Sequence, residues 1–314
     1  MNVLITGASG YIGRKLVMEL SLIGHSITVI TRSPSKLECL NALFSTITVD
    51  LISDSLTELD LRAFDVIYNC AGELRNESMM HELHIDASMR LLSKISGNTT
   101  RWVQLSSVGV YGQSVSGEVL ENSKFAPMGQ YEVTKAEAEI KIKEYCIDNG
   151  IPFSILRPSN VFSVDMPNNS LRQFVIFIKR GLFFYMKDPE EVMVNYVHVD
   201  DVVNALILCG FNKNAINNDY IISDNLNQKE FVNIVCDSLN KKYPKLSFPY
   251  AVVKYLSSIL AHIPYFRSLD SKVNALSTTA LYSTGKIENE LGYKKQRPLR
   301  EAIVEFSLLV DKNV

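Results

Sequence analysis

A tyrosine and a lysine stand four residues apart in a segment whose pattern predicts a long helix. The segment reads Tyr131-Glu-Val-Thr-Lys135, and the helical pattern continues to Asp148. Residues four apart lie on one helix face, so the phenol and the ammonium point in the same direction. A free tyrosine has a pKa of about 10 and is a poor base at neutral pH. A neighbouring lysine cation favours the phenolate and lowers that pKa, so the pair is a candidate for acid–base chemistry.

Serine hydroxyls upstream supply a third group for such chemistry. The spacing of Tyr131 and Lys135 occurs by chance in many helices, so its context decides its meaning. Ser106 and Ser107 directly follow a short apolar run, Trp102–Leu105, that predicts a buried strand. Ligand crevices in α/β proteins form at the carboxyl ends of such strands. A serine there can donate a hydrogen bond to a substrate carbonyl oxygen and stabilise its developing charge.

A glycine-rich loop lies near the start of the chain. Gly7, Gly10 and Gly13 follow the apolar run Asn2–Thr6, which predicts a strand, and a helical pattern begins at Tyr11. The turn needs glycine where side chains would clash, and a pyrophosphate can then approach backbone N–H groups at the positive end of the helix. A glycine triplet alone is weak evidence, since tight turns use glycine for steric reasons. Its place on the first strand-to-helix turn favours dinucleotide binding.

The end of the second predicted strand bears on which dinucleotide is bound. Proteins that bind NAD usually place a carboxylate there, which accepts hydrogen bonds from the ribose 2′-hydroxyl. Here Arg32 follows the run Ser26–Ile30, and the next acidic residue is Glu38. A guanidinium binds a 2′-phosphate through charge-assisted hydrogen bonds, whereas a carboxylate repels it. The sequence therefore favours NADP(H), with NAD(H) as the alternative if Arg32 only points into solvent.

Strand and helix patterns alternate over the first 160 residues. The predicted strands are Asn2–Thr6, Ser26–Ile30, Thr46–Val49, Val66–Asn69, Trp102–Leu105 and Phe153–Leu156. Runs that are apolar throughout, rather than at alternate positions, indicate a parallel sheet covered on both faces. The predicted fold class is α/β, a Rossmann-like doubly wound parallel sheet with a smaller, mostly helical C-terminal substrate lobe. We predict an NAD(P)-binding domain over residues 1–160 and the substrate lobe over 161–314, with an approximate boundary because the chain passes back and forth.

Composition and charge exclude several classes of protein. The 32 Lys and Arg residues against 34 Asp and Glu give a formal net charge of −2, so there is no overall positive field to bind nucleic acid. With 46% hydrophobic and 21% charged residues, the composition is that of a soluble globular protein. Five cysteines without a C-x-x-C pair indicate reduced thiols and a cytoplasmic location.

Two windows are the most apolar in the chain, and neither predicts a membrane span. Phe174–Tyr185 is interrupted by two basic residues, and Phe248–Phe266 by a lysine, a histidine and a proline. A spanning helix needs about 18 or more uncharged apolar residues. The second window predicts a helix that faces the core, with an amphipathic helix resting on a membrane as the alternative.

In their order and spacing, these motifs resemble an extended short-chain dehydrogenase/reductase of the NAD-dependent epimerase/dehydratase branch. That branch includes nucleotide-sugar epimerases, dehydratases and ketoreductases. The resemblance covers residues 1 to about 205, and the C-terminal hundred residues match only loosely. The matching segments are Gly7/Gly10/Gly13, Asp50-Leu51, Asn69–Gly72, Ser106-Ser107, Val110–Gly112, Tyr131/Lys135, Leu156–Asn160 and Tyr196–Asp201.

The resemblance implies a role for each matching residue. Ser107, Tyr131 and Lys135 fall on the family's catalytic serine, tyrosine and lysine. Asn160 falls in the loop against nicotinamide and sugar, and Asn169 in the loop that holds the substrate diphosphate, so these two and Ser107 are the implied substrate contacts. The implied cofactor contacts, some of them also derived above, are Gly7, Gly10, Tyr11, Ile12, Gly13, Arg32, Asp50, Leu51, Ala71, Gly72, Lys135 and Pro158. A homodimer through the helix Tyr131–Asp148 is a further implication.

Three positions depart from the family pattern. Arg32 replaces the acidic residue expected of epimerases that retain NAD, which shifts the prediction toward net reduction. His84 stands where the family often has a helix asparagine; it also forms an H-x-x-H pair with His81, but no complete ligand set is evident and no metal is predicted. Val194 stands where UDP-sugar epimerases have an arginine for the diphosphate. The residues that could compensate are Arg172, Arg180, Arg267 and Lys272.

The sequence thus predicts an NADPH-dependent ketoreductase acting on a nucleotide-activated sugar, with a 4-keto-6-deoxy hexose favoured. Tyr131 would protonate the carbonyl oxygen, Ser107 would polarise it, and Lys135 would hold both Tyr131 and the nicotinamide ribose. The first alternative is a nucleotide-sugar 4-epimerase that uses the same residues. The others are a reductase of a hydroxysteroid- or flavonoid-like ketone and a protein that binds NADP(H) without catalysis.

Overall fold

The computed structural model describes residues 1–40, 42–95, 99–112, 115–167, 169–260, 273–274 and 276–312. Within these ranges the strands, in chain order, are β1 (Asn2–Thr6), β2 (Ser26–Thr31), β3 (Ser45–Thr48), β4 (Val66–Asn69), β5 (Arg101–Leu105), β6 (Ser116–Val119), β7 (Phe153–Pro158), β8 (Asn160–Phe162), β9 (Met193–His198), β10 (Asn218–Ile222), β11 (Asp224–Asn227) and β12 (Thr279–Tyr282).

The helices pack around these strands. They are α1 (Tyr11–Leu22), α2 (Glu77–His81), α3 (Ala87–Leu92), α4 (Gln130–Asp148), α5 (Ser170–Lys179), α6 (Val199–Phe211), α7 (Gln228–Ser238), α8 (Tyr250–Leu260), α9 (Gly285–Leu291) and α10 (Leu299–Lys312). A turn of π-helix, Glu82–Asp86, joins α2 to α3, so the chain is helical from Glu77 to Leu92.

Seven of the described strands form one parallel sheet. Their order is β10-β7-β5-β4-β1-β2-β3. The chain runs outward from β1 through β2 to β3, then crosses back to β4 on the other side of β1 and runs outward again. This reversal makes a crevice at the carboxyl ends of β1 and β4, where doubly wound folds bind their ligands. The predicted Rossmann-like α/β class is confirmed.

Helices cover both faces of this sheet, which is why its strands are apolar throughout. On one face, α1, α6 and α9 pack against β-strand side chains such as Val29 and Val103, all within one buried cluster. On the other face, α3 and α4 pack against Ile67, Trp102 and Ile155. Burial of apolar area contributes about 25 cal/mol per Å², so both layers stabilise the sheet. The edge strand β10 comes from beyond residue 160 and pairs with β7.

A second, smaller assembly lies beyond β7. The three-stranded sheet β11-β9-β8 packs with α5, α7 and α10 around a separate buried cluster that includes Phe162, Phe231 and Phe306. The strands β6 and β12 form a parallel pair by themselves, with Ser116 opposite Thr279. This assembly lies against the carboxyl ends of the main sheet, because β8 follows β7 after a single residue.

The prediction for the window Phe248–Phe266 is wrong in its described part. Among the residues of α8, Ser257 is the buried one, while Val252, Tyr255 and Leu256 are 51%, 67% and 52% exposed. The helix therefore does not direct its apolar face into the core. Residues 261–266 lie outside the described residues. Within the described ranges, no helix is both long enough and apolar enough to cross a bilayer.

Candidate active site

The glycine loop connects β1 to α1 at the crevice. Gly7 has φ +67°, and a Cβ there would lie 2.5 Å from the Cys70 carbonyl carbon. A Cβ on Gly13 would lie 2.3 Å from the Gly7 carbonyl oxygen, so α1 can approach β1 only through glycine. Gly10 is different, since its only close neighbour is that same oxygen at 3.1 Å. The open side of Gly10 and the unpaired first-turn N–H groups of α1 form a cradle for a pyrophosphate.

Polar side chains fix the floor of the crevice below this loop. Thr6 donates a hydrogen bond to Asn69 at 2.6 Å, and Asn69 donates to Ser88 at 2.8 Å and to Gln104 at 2.9 Å. The Ala71 N–H lies 3.3 Å from the Thr6 hydroxyl. These buried groups tie β1, β4 and β5 to α3. From the sequence, Asn69 is recognisable only as part of a motif, and Thr6 and Gln104 are not recognisable, because nothing in their spacing reveals a shared network.

Ser107, Tyr131 and Lys135 come together at the mouth of the crevice. Tyr131 lies in the first turn of α4, and the side chain of Ser107, which follows β5, is close enough to favour the ionised form of the Tyr131 phenol. The Gly109 N–H donates to the Ser107 oxygen at 3.1 Å, which leaves the serine proton available to another acceptor. The Lys135 Nζ lies 5.9 Å from the centre of the Tyr131 ring and donates to the Leu105 carbonyl at 3.1 Å.

Burial dominates the acid–base properties of this group. It raises the pKa of Tyr131 to about 12, and the nearby Ser107 side chain opposes this only in part. Burial also lowers the pKa of Lys135 to about 8, while Cys70 and Glu139 act in the opposite direction. The expectation that the lysine lowers the pKa of Tyr131 is therefore wrong for the protein alone, since burial raises that pKa above its ordinary value. At neutral pH the phenol is protonated and the amine is mostly charged.

His84 packs directly against this group. Its Nε2 accepts a hydrogen bond from the Glu73 N–H at 2.9 Å, and its Nδ1 lies 2.9 Å from the Thr134 hydroxyl. The ring contacts Tyr131 edge to face, with 5.6 Å between centroids. Burial, followed by the charge of Lys135, lowers the pKa of His84 to about 3, so the imidazole is neutral.

The H-x-x-H pair does not converge on a metal. His81 is exposed and lies 3.2 Å from Asp86, away from the engaged nitrogens of His84. Within the described ranges, no group of three or more His, Cys, Asp or Glu side chains could hold a metal ion.

The ends of β2 and β3 bring two opposite charges together. The Arg32 Nη1 lies 3.7 Å from the Asp50 Oδ2, and both side chains are partly exposed. Asp50 also accepts a hydrogen bond from the Ile52 N–H at 2.9 Å, and Arg90 binds the carbonyl oxygens of Leu51 and Ile52. The acidic residue that the sequence seemed to lack beside Arg32 therefore comes from the neighbouring strand.

The remaining predicted contacts surround the same crevice at different depths. Gly72 is exposed and lies beside His84 and Lys135. A Cβ at this position would lie 3.5 Å from both the His84 Nε2 and the Lys135 Nζ. Pro158 is buried at the end of β7, and Ile12 is half-buried in the first turn of α1. The Tyr11 hydroxyl donates to Ser163 at 2.7 Å and links α1 to the smaller assembly.

Two of the three predicted substrate contacts, Asn160 and Asn169, lie in that smaller assembly. Asn160 is exposed on β8 and donates to the Asn195 carbonyl at 3.0 Å; Asn169 is exposed at the start of α5. Val194 is buried in the core there, so the chain has an apolar core residue at that position. Arg172 is half-buried and Arg180 exposed. Arg267 and Lys272 lie outside the described residues.

The chain matches the model of the NAD dependent epimerase/dehydratase family over residues 3–223. This is well over half of the chain. The chain belongs to that family. It is an extended short-chain dehydrogenase/reductase, which is a class of enzymes. The serine, tyrosine and lysine that the sequence predicts for such an enzyme lie close together in this chain.

Curated relatives match this chain over nearly its whole length. Short-chain dehydrogenase/reductase family 42E member 1 of Bos taurus is 27% identical over 345 residues, covering 97% of this chain and 87% of the relative. UDP-glucose 4-epimerase of Vibrio cholerae is 21% identical, and the match covers 96% of this chain and 92% of the relative.

Solved structures share the fold over the full length. UDP-glucuronic acid 4-epimerase from Bacillus cereus in complex with NAD superposes with a TM-score of 0.74 at 18% identity, covering 100% of this chain and 99% of the other. MoeE5 in complex with UDP-glucuronic acid and NAD gives a TM-score of 0.75 at 20% identity, with 100% of both chains covered.

Proposed function

We propose that this protein is an NAD(P)-dependent oxidoreductase that reduces the keto group of a nucleotide-activated sugar. A 4-keto-6-deoxy hexose is the favoured substrate class. The observation that carries the proposal is the meeting of Ser107, Tyr131 and Lys135 beside the glycine loop. Support for the substrate comes from relatives and neighbours named for UDP-sugar chemistry.

The residues present fit a dinucleotide. The glycine loop offers open backbone at Gly10, and Gly72 lets a ligand approach Lys135 without a side chain in between. The Lys135 amine would hold the nicotinamide ribose. Arg32 or Asp50 would hold the adenosine ribose, because these two residues follow the ends of the adjacent strands β2 and β3. When bound, the nicotinamide supplies the hydride that is exchanged with the substrate carbon.

Tyr131 acts as the proton donor in this proposal. Its phenol is protonated at neutral pH because burial raises its pKa to about 12, and a protonated group is what reduction of a carbonyl requires. Ser107 donates a hydrogen bond to the carbonyl oxygen and stabilises its developing charge. Lys135 keeps a positive charge below a pKa of about 8 and would hold the nicotinamide ribose beside the phenol.

A nucleotide-sugar 4-epimerase is the second candidate, and one contact favours it. Asp50 lies beside Arg32, so the cofactor site contains the carboxylate that suits a 2′-hydroxyl as well as the guanidinium that suits a 2′-phosphate. An epimerase oxidises and then reduces the same carbon while retaining NAD. Purified protein that carries a tightly held NAD would favour this candidate, whereas exchange with added NADPH would favour the reductase.

The proposal also covers how the substrate is bound, how the chain assembles and where it is located. Val194 would take no part in diphosphate binding, because it is buried among apolar residues. Arg172 on α5 stands three residues after the predicted contact Asn169 and is the candidate that would bind the diphosphate instead. An apolar residue at position 194 is also compatible with the alternative, a reductase of a hydroxysteroid- or flavonoid-like ketone. Exposed Ile140 and Ile147 on α4 are available for a homodimer contact. We propose a cytoplasmic location from the reduced cysteines.

The test of the chemistry is the change Tyr131→Phe, which removes the proton donor and little else. We expect kcat for a keto sugar nucleotide to fall about 100-fold or more, because general acid catalysis contributes about 10²–10⁴ in rate. Binding of the cofactor, measured by fluorescence titration, should stay unchanged. Tyr145→Phe on the same helix is the matched control and should keep full activity. If Tyr131→Phe turns over normally, the assignment is wrong.

A further inference from the structure

The helix α8 is amphipathic in the opposite sense to a core helix. Its inward side carries Lys254 and Ser257, and the Lys254 amine donates to Asn274 at 2.8 Å. Its outward side carries Val252, Tyr255 and Leu256, each more than half exposed. A helix of a globular protein normally buries its apolar stripe and exposes its polar one. The reversal means that the core does not account for the apolar side.

The apolar surface continues into the segment before the helix. Leu246 is 61% and Phe248 46% exposed. These residues are held in place, because the Tyr185 N–H donates to the Leu246 carbonyl and the Phe248 N–H to the Tyr185 carbonyl, both at 2.9 Å. We call Leu246, Phe248, Val252, Tyr255 and Leu256 the α8 face. Contiguous apolar surface of this kind marks a site for a partner or a membrane.

The chain segment that carries the α8 face is rich in lysine. From Leu239 to Leu260 the sequence contains four lysines and no acidic residue, in a chain whose net charge is −2. Lys241, Lys242 and Lys245 are exposed, and Lys187 lies 4.7 Å from the Tyr250 ring at the start of α8. Positive charge is thus concentrated beside the apolar side chains. Such a combination complements a surface that is apolar inside and anionic outside.

We propose that the α8 face docks this protein on the surface of an anionic lipid membrane. Val252, Tyr255 and Leu256 enter the boundary between headgroups and acyl chains, and the lysines remain at the level of the anionic headgroups. Each lysine near such a surface adds electrostatic attraction, which salt screens. A protein partner or a second copy of this chain would need no such concentration of lysines. The docking is peripheral, and it does not depend on the proposed chemistry.

Vesicle sedimentation tests the proposal directly. The full chain should sediment with phosphatidylcholine vesicles that contain about 30% phosphatidylglycerol, and much less with phosphatidylcholine alone. Raising the salt from about 0.1 M to about 0.5 M should reduce the bound fraction. The double change Val252→Glu and Leu256→Glu should weaken binding about tenfold or more. Leu22→Glu, which alters an exposed leucine at the end of α1, is the matched control and should bind normally.

A fluorescent probe makes the test independent of altered folding. The only tryptophan, Trp102, is fully buried, so its emission should not respond to lipid. In the variant Tyr255→Trp, anionic vesicles should shift the added emission to shorter wavelength, as expected for an indole entering the headgroup region. Equal binding to neutral and anionic vesicles, or no shift in this variant, would overturn the proposal. So would light scattering that shows a dimer abolished by Val252→Glu and Leu256→Glu without any vesicle binding.

Discussion

At the level of single residues, His84 shows how an uncharged group is kept beside the candidate catalytic pair, Tyr131 and Lys135. Its Nε2 accepts from the Glu73 N–H, so the proton lies on Nδ1 and is donated to Thr134. The same ring lines the space next to the Lys135 amine, which disfavours a second positive charge there. The imidazole thereby connects the loop after β4 to the first turn of α4, where Tyr131 lies.

This environment predicts a pH-dependent stability. The folded pKa of His84 is about 3, below its ordinary value of 6.5, because burial disfavours the charged form. The unfolded chain therefore binds more protons below pH 6.5, and stability that is fully present above pH 6.5 is lost as the pH falls toward 3. Between pH 6.5 and 5, we expect this residue to lower the free energy of unfolding by about 2 kcal/mol.

The measurement is urea unfolding of the protein and of His84→Asn at both pH values. An asparagine side chain can also accept from the Glu73 N–H but does not titrate, so the variant should lose the histidine contribution to the pH dependence. The difference between the two proteins isolates this residue from other titrating groups. An identical pH dependence in both would show that His84 is readily protonated in the folded state.

Residue types in the candidate site could be predicted from the sequence, but their electrostatics could not. The spacing of Tyr131 and Lys135 was sufficient to put them on one helix face. The direction of the Tyr131 pKa depends on burial, which only the packed structure determines. Asp50 beside Arg32 was equally inaccessible, because 17 intervening residues separate two positions that adjacent strands bring together.

At the scale of elements, the strands of the main sheet could be predicted because burial on both faces makes them continuously apolar. The six predicted strands match β1 to β5 and β7 to within a residue or two. The pair β6 and β12 could not be predicted. Ser116–Val119 is polar and mostly exposed, and its partner strand β12 lies about 160 residues away in sequence. No local sequence pattern therefore predicts the pairing.

The adjacent ends of β2 and β3 predict which cofactor is preferred. A 2′-phosphate would draw Arg32 away from Asp50, since a charge-assisted fork is stronger than their 3.7 Å ion pair. We expect NADPH to bind more tightly than NADH, and Arg32→Ala to weaken NADPH binding about tenfold while leaving NADH nearly unaffected. Fluorescence titration of both cofactors measures this, with Arg62→Ala, an exposed arginine outside the site, as the control. Tighter binding of NADH to the unaltered protein would support the epimerase instead.

At the scale of the whole molecule, one buried arginine joins parts that are distant in the chain. Arg157 on β7 donates to Glu139 on α4 at 2.6 and 3.0 Å and to the Tyr111 hydroxyl at 2.7 Å, and it pairs with Asp219 on the edge strand β10. Glu139 also accepts from Ser106, next to the catalytic candidate Ser107. The ion pair thus links the edge of the sheet, the helix that carries Tyr131 and the end of β5.

Removing this guanidinium should therefore destabilise the fold and not only the site. Arg157→Met leaves the Glu139 carboxylate buried without its cation, so we expect the free energy of unfolding to fall by about 3–5 kcal/mol in chemical denaturation. Adding Glu139→Gln removes the stranded charge and should recover part of that loss, which a double-mutant cycle measures. Lys229→Met, which breaks the exposed pair with Glu190, is the control and should leave stability nearly unchanged. If Arg157→Met is as stable as the unaltered protein, the network does not join these elements; if it is unstable and the second change restores nothing, the loss comes from packing rather than charge.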